Sequence, residues 1–202
     1  MYPQLVIDLA KLRHNAREVA KRCEECGIEL CGVVKGFRAD LRMVKGFIEG
    51  GVRQIGTSRL SQIKDMKAAG IELPFVLLRI SQHCEAAQTV ELADYSLQSE
   101  LSVMELLNEE ARKAGKSHKV IVMAELGDLR EGYWDREEMI AACLRVEKEL
   151  RFLRLAGVGV NLGCYGSIKP TPEKMTELLD IAREVQDGIG RELEIVSGGA
   201  TS

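Results

Sequence analysis

Short apolar segments of strand length alternate along this chain with longer segments in which apolar residues recur every three or four positions. This alternation predicts repeated βα units and a parallel sheet, because helices with one apolar face pack against buried strands. The helical segments carry end signals, such as the N-cap candidate Asp8 before the first helix and Gly27 after it. Further end signals are Gly70, Gly115, Asp135 and Thr171-Pro172. The predicted strands are 28–34, 52–56, 74–80, 94–98, 119–126, 153–160 and 193–197.

The number of units bears on the fold class. Seven consecutive βα units without an internal linker fit a (β/α)8 barrel better than an open sheet, which has about five or six strands. A complete barrel takes about 250 residues, whereas this chain ends directly after its seventh predicted strand. We therefore predict an α/β protein with a TIM-type (β/α)8 barrel, formed by one domain over residues 1–202 and truncated after the seventh strand.

Composition and charge exclude several classes of function. The 202 residues are 46% hydrophobic and carry a net charge of −3, so no overall positive field attracts nucleic acid or an anionic membrane. No apolar run approaches the length of a membrane span, and the start of the chain lacks a signal peptide, which predicts a cytoplasmic protein. Cys23 and Cys26 have the spacing of half a zinc site, but no second pair follows and we expect no metal.

Candidate chemistry is expected at the carboxyl ends of the strands, where barrels of this type collect their functional residues. Lys35 directly follows the strand sequence Gly32-Val33-Val34. A barrel wall that held its amine near Arg59, Arg79 or Arg130 would favour the neutral form that a Schiff-base nucleophile needs. The alternative is a lysine that leaves the strand and reaches water. Polar residues such as Gln98 and Asn161 follow other strands, and we expect several of them to converge.

The stretch after the last strand reads Ser197-Gly198-Gly199-Ala200-Thr201-Ser202. Consecutive backbone amides and small hydroxyls can cradle a phosphate, and barrels commonly bind phosphate after their last strands. A simple glycine turn explains the same residues equally well. Together, the lysine and the glycine-rich stretch are more informative than either alone.

Four segments resemble a known family in order and spacing. They are Cys31-Gly32-Val33-Val34-Lys35, Gly127-Asp128-Leu129-Arg130-Glu131-Gly132, Val160-Asn161-Leu162-Gly163-Cys164-Tyr165-Gly166 and Ser197-Gly198-Gly199. The sequence is similar, over essentially its whole length, to the alanine/ornithine racemases, which are pyridoxal-phosphate enzymes with a barrel of the alanine racemase N-terminal kind. The resemblance implies that residues 1–202 form the pyridoxal-5'-phosphate-binding barrel and lack the C-terminal β domain of the family.

The resemblance also implies site residues. Lys35 would be the internal-aldimine lysine and one of two acid/base groups, and Arg130 would contact the cofactor oxygen and the substrate carboxylate. The cofactor would further be held by Asn161, Ser197, Gly198, Gly199, Thr201 and Ser202, and the substrate pocket would include Arg79 and Tyr165. Met123 departs from alanine racemase, which has a lysine there that orients the arginine when carbamylated. Asp128 and Glu131 are interpreted as mainly structural.

The implied function is an amino-acid racemase, an isomerase that inverts the substrate α-carbon by two-base proton transfer and is a homodimer in its full-length form. The second base and the partner of the pyridine nitrogen lie in the family beyond position 202, so residues 1–202 alone are expected to be nearly inactive. The substrate side chain is not readable from the sequence. Two alternatives remain: a pyridoxal-phosphate homeostasis protein without fast racemase activity, and a non-catalytic truncated barrel whose open edge pairs with another chain.

Overall fold

The computed structural model describes residues 3–163 and 168–199. Strands and helices alternate through these ranges, as the apolar pattern predicts. The chain divides into two compact units, residues 1–78 and 79–202. None of the helices in the described ranges is long and apolar enough to cross a membrane.

The first unit carries three parallel strands that pair in chain order, with Gly32 beside Ile55 and Ile55 beside Phe75. Its first helix begins where predicted, because the Asp8 carboxylate accepts hydrogen bonds from the next turn's backbone N–H groups at 2.9 and 3.1 Å. Gly27 follows that helix with a φ of +69°, which confirms it as part of the helix end. The elements are α1 (Leu9–Glu25), β1 (Cys31–Val33), α2 (Leu41–Glu49), β2 (Gln54–Thr57), α3 (Leu60–Ala68) and β3 (Phe75–Leu77).

The second unit carries four parallel strands, which also pair in chain order. Two predicted helix starts are confirmed: Asp135 accepts from Glu138 N at 2.9 Å, and Thr171 precedes a proline in the first helical turn. The elements are α4 (Ala86–Leu92), β4 (Tyr95–Gln98), α5 (Leu101–Lys113), β5 (His118–Ala124), α6 (Arg136–Glu149), β6 (Leu153–Val160), α7 (Pro172–Ile189) and β7 (Ile195–Ser197).

The two faces of the second unit's sheet have different neighbours. Val120, Val122 and Val158 belong to one core cluster with buried residues of helices α5, α6 and α7. Side chains alternate between the faces of a strand, so Ile121 and Met123 lie on the opposite face, where they are also buried. A sheet buried on both faces is typical of parallel βα folds and explains why the strands read as continuous apolar runs.

Candidate active site

Lys35 lies in the first unit. This residue follows β1 after a single residue and begins a short 3-10 helix, Lys35–Phe37, at the carboxyl end of the strand. The turn is fixed on both sides: Val34 N donates to the carbonyl of Gly56 at 2.9 Å, and the Phe37 ring packs edge-on against Phe47 of α2, with 5.4 Å between centroids. The Lys35 side chain is exposed, so it is positioned by the backbone turn and not by burial in a wall of side chains.

The backbone after Lys35 is strained. Arg38 and Ala39 both have a φ of +56°, a conformation that costs a non-glycine residue about 1 kcal/mol or more. Asp40 then caps α2, and its bidentate bond with Arg42 lowers the pKa of the Asp40 carboxyl to about 2. Such strain is found at functional sites, where the surrounding structure imposes it. It indicates that the path of the chain around Lys35 is imposed by its surroundings.

The loop that follows β5 lies in the second unit. The Glu125 carboxylate accepts hydrogen bonds from the backbone N–H groups of Gly127 at 2.5 Å and Arg130 at 3.1 Å. Tyr133 returns to the strand, since its N–H donates to Met123 O at 2.8 Å and its carbonyl accepts from Glu125 N at 2.9 Å. The loop is thereby closed at its start and its end, and Arg130 lies within it.

Arg130 forms a bidentate pair with its neighbour Glu131. The distances are 3.0 Å from Nε to Oε2 and 2.6 Å from Nη2 to Oε1. Asn161, directly after β6, donates from Nδ2 to the same Oε1 at 2.5 Å. Buried Asp128 accepts from Gly163 N at 3.1 Å, so the loops after β5 and β6 are connected twice. The structure thus brings together two of the predicted site residues, Arg130 and Asn161, through a carboxylate.

The segment after β7 lies close to Asn161 and to the end of β6. Gly199 has a φ of +61°, and a Cβ there would lie 1.9 Å from the carbonyl oxygen of Val160 and 2.7 Å from Asn161 Oδ1. Only glycine can occupy this position. The close approach of Gly199 to the end of β6 is called the Gly199 cradle below. Ser197 pairs with Gly159 in the sheet and begins this stretch. Tyr165, Thr201 and Ser202 lie outside the described residues.

Two other polar residues at strand ends have different surroundings. Arg79 Nη2 donates to Glu85 Oε1 at 2.6 Å, and this hydrogen bond lowers the pKa of the Glu85 carboxyl. Gln98 is fully buried, and its register with Val122 places it on the helix-facing side of the sheet, where it donates to Ser96 and Ser81. Gln98 is therefore not one of the strand-end residues that come together with Asn161.

Comparison with known proteins shows the family. Residues 7–202 match the family described as the alanine racemase N-terminal domain. The chain belongs to this family. It is 39% identical over its complete length to the lysine racemase of Thermotoga maritima and to the ornithine racemase of Acetoanaerobium sticklandii. The chain spans about half the length of these curated relatives, 55% and 56% respectively.

Solved structures show the same family fold. Alanine racemase from Clostridium difficile 630 superimposes with a TM-score of 0.79 at 20% identity, over 94% of this chain and 50% of that protein. PipY of Synechococcus elongatus PCC7942, solved with PLP bound, superimposes with a TM-score of 0.73 at 19% identity, over 93% of this chain and 88% of PipY. The predicted fold class, an α/β barrel of the alanine racemase N-terminal kind, is confirmed.

The residues of this family member fit pyridoxal phosphate. The Gly199 cradle has no room for a side chain, and a lysine and an arginine stand at carboxyl ends of strands, where barrel chemistry collects. Among the described residues, no group of three or more His, Cys, Asp or Glu side chains could hold a metal ion. Sequence reasoning missed Glu131 as the partner of Arg130, because adjacent residues seldom pair and only the turned loop allows it.

Proposed function

We propose that this chain is the pyridoxal-phosphate-binding part of an amino-acid racemase, with lysine and ornithine as the first substrates to test. The observation that carries the proposal is the 39% identity over the whole chain to a lysine racemase and an ornithine racemase. The glycine-rich stretch after β7 is consistent with it, because consecutive backbone amides can bind a phosphate group. A cytoplasmic location and a homodimeric full-length form belong to the same proposal.

The chemistry follows from the residue types. Pyridoxal phosphate, when bound, serves as an electron sink for the carbanion at the substrate α-carbon. Lys35 would hold the cofactor through its amine and move a proton on one face of that carbon. Arg130 would offer its planar cation to the substrate carboxylate and so fix the orientation of the α-C–H bond. Inversion also needs a proton on the other face, which a second base would supply.

Labelling tests the assignment of the lysine. The protein is incubated with pyridoxal phosphate, reduced with borohydride and digested for peptide mapping. We expect the label on Lys35 and its loss in Lys35→Ala. Lys45→Ala serves as the matched control, because Lys45 is an exposed lysine on α2 of the same unit. A label on Lys45, Lys119 or Lys169 in place of Lys35 would contradict the assignment.

The second candidate is a pyridoxal-phosphate homeostasis protein, which would hold the cofactor without fast racemisation. The nearly complete overlap with PipY, 88% of that chain, favours testing it. The two functions are separated by following α-proton exchange and optical rotation in deuterium oxide for lysine, ornithine, alanine and serine. Residues 1–202 are compared with any longer product of the same reading frame. Cofactor binding without inversion in every form tested would favour the homeostasis function.

A further inference from the structure

The pair between Arg130 and Glu131 differs from an ordinary surface ion pair. The Glu131 side chain is only 14% exposed and that of Arg130 is 27% exposed. Both carboxylate oxygens are used by the guanidinium, in the planar geometry that fixes the rotation of an arginine head. The carboxylate is therefore largely covered, whereas the arginine is partly open to solvent.

The loop is built to make this pair possible. Side chains of adjacent residues normally diverge, but here the backbone turns sharply on both sides of the pair. Leu129 has a φ of +56°, which is strained for a residue other than glycine. The residue is 68% exposed, so burial of its side chain does little to offset this strain. Gly132 has a φ of +119°, and a Cβ there would lie 2.5 Å from the backbone carbon of Ala124. The loop therefore holds a strained conformation that places Glu131 under the guanidinium.

Asn161 links Glu131 to the Gly199 cradle. Asn161 donates from Nδ2 to Glu131 Oε1, and this bond decides which way the amide group faces. The other amide atom, Oδ1, then faces Gly199, where a Cβ would be only 2.7 Å away. One carboxylate thus sets the direction of the arginine and of the amide beside the cradle.

We propose that Glu131 is the positioning residue of this site, orienting Arg130 toward the cofactor and the substrate carboxylate and Asn161 toward the cradle. The inference rests on the proposed function, since it assigns the bound group to the same residues. It goes beyond the interpretation of Glu131 as a mainly structural residue. An arginine has several rotatable bonds, so holding its head in advance reduces the entropy that ligand binding must otherwise remove.

The direct test is cofactor affinity, measured by absorbance titration with pyridoxal phosphate. Glu131→Gln keeps the size of the side chain and one acceptor for Asn161, but it places an amide where the guanidinium needs a negative charge. We expect affinity to fall about tenfold, the effect of losing a charged hydrogen-bond partner. The matched control is Glu147→Gln, because Glu147 forms a bidentate pair with Arg191 at 2.7 and 2.6 Å in the same unit. Its titration should match that of the unaltered protein.

A double-mutant cycle separates positioning from simple stabilisation. In an Arg130→Lys background there is no planar head to orient, so Glu131→Gln should change cofactor affinity less than about twofold. A merely structural Glu131 would instead cost the same in both backgrounds and would lower the melting temperature more than Glu147→Gln does. Either result, or an unchanged affinity in the single variant, would overturn the inference. Absence of binding to Lys35 in the unaltered protein would overturn the proposed function and this inference with it.

Discussion

His118 is expected to make the stability of this protein fall on mild acidification. The side chain is 2% exposed at the start of β5, and its Nε2 lies 2.8 Å from Ser96 Oγ. Burial, with a smaller contribution from the nearby Lys116 cation, lowers the pKa of His118 from 6.5 to about 4, while a hydrogen bond with the Ala93 backbone acts in the opposite direction. The folded protein therefore keeps this imidazole neutral at a pH where the unfolded chain protonates it.

The sign and size of the effect follow from proton linkage. Because the unfolded state binds the extra proton, the stabilising contribution is fully present above pH 6.5 and is lost as the pH falls toward 4. A shift of this size corresponds to about 3 kcal/mol in total. About 2 kcal/mol of it is lost between pH 7 and pH 5. Glu85 does not interfere, because a carboxyl whose pKa is lowered by Arg79 loses its contribution only below its ordinary value of 4.5.

Urea unfolding at pH 7 and pH 5 measures this difference in the free energy of unfolding. His118→Gln should be less stable at pH 7 but should lose much less stability between the two pH values. His14→Gln is the matched control, because His14 is exposed on α1 and its ring is hydrated in both states. Equal losses in the unaltered protein and in His118→Gln would refute the reasoning.

The remaining predictions concern the cradle and a helix cap. Gly199→Ala should weaken pyridoxal phosphate binding about tenfold or more in an absorbance titration, because its Cβ would overlap the Val160 carbonyl oxygen. Gly190→Ala is the control: its φ is +73° but its Cβ would meet nothing within 4 Å, so only stability should fall and unchanged binding is expected. Asp135→Ala should lower the free energy of unfolding by about 1 kcal/mol in urea, since α6 loses its cap, while Asp135→Asn should lose less. Equal effects of the alanine and asparagine substitutions would show that the cap bond contributes nothing.

Local sequence signals predicted most of the element order and several helix ends. Asp8, Thr171-Pro172 and Gly27 act through bonds within one helical turn, so no distant residue is needed to recognise them. The ends of the strands were predicted less well. The strand predicted at 28–34 spans only Cys31–Val33 in the structure, and the strand predicted at 193–197 spans only Ile195–Ser197. A strand ends where its neighbour stops pairing, and the neighbour lies elsewhere in the sequence.

The functional site also combines features that the sequence determines with features that only the tertiary structure decides. The residue types and their order, from Lys35 to Gly199, were enough to indicate the family and the candidate cofactor, because both depend on motifs that are contiguous in sequence. The sequence did not decide that Gln98 faces the helices, since a strand residue takes its side of the sheet from the register with its neighbour. Nor did it decide that Glu131 holds Arg130 and Asn161 together. That contact depends on a strained loop and on the approach of the segment after β6, which only the tertiary fold brings into place.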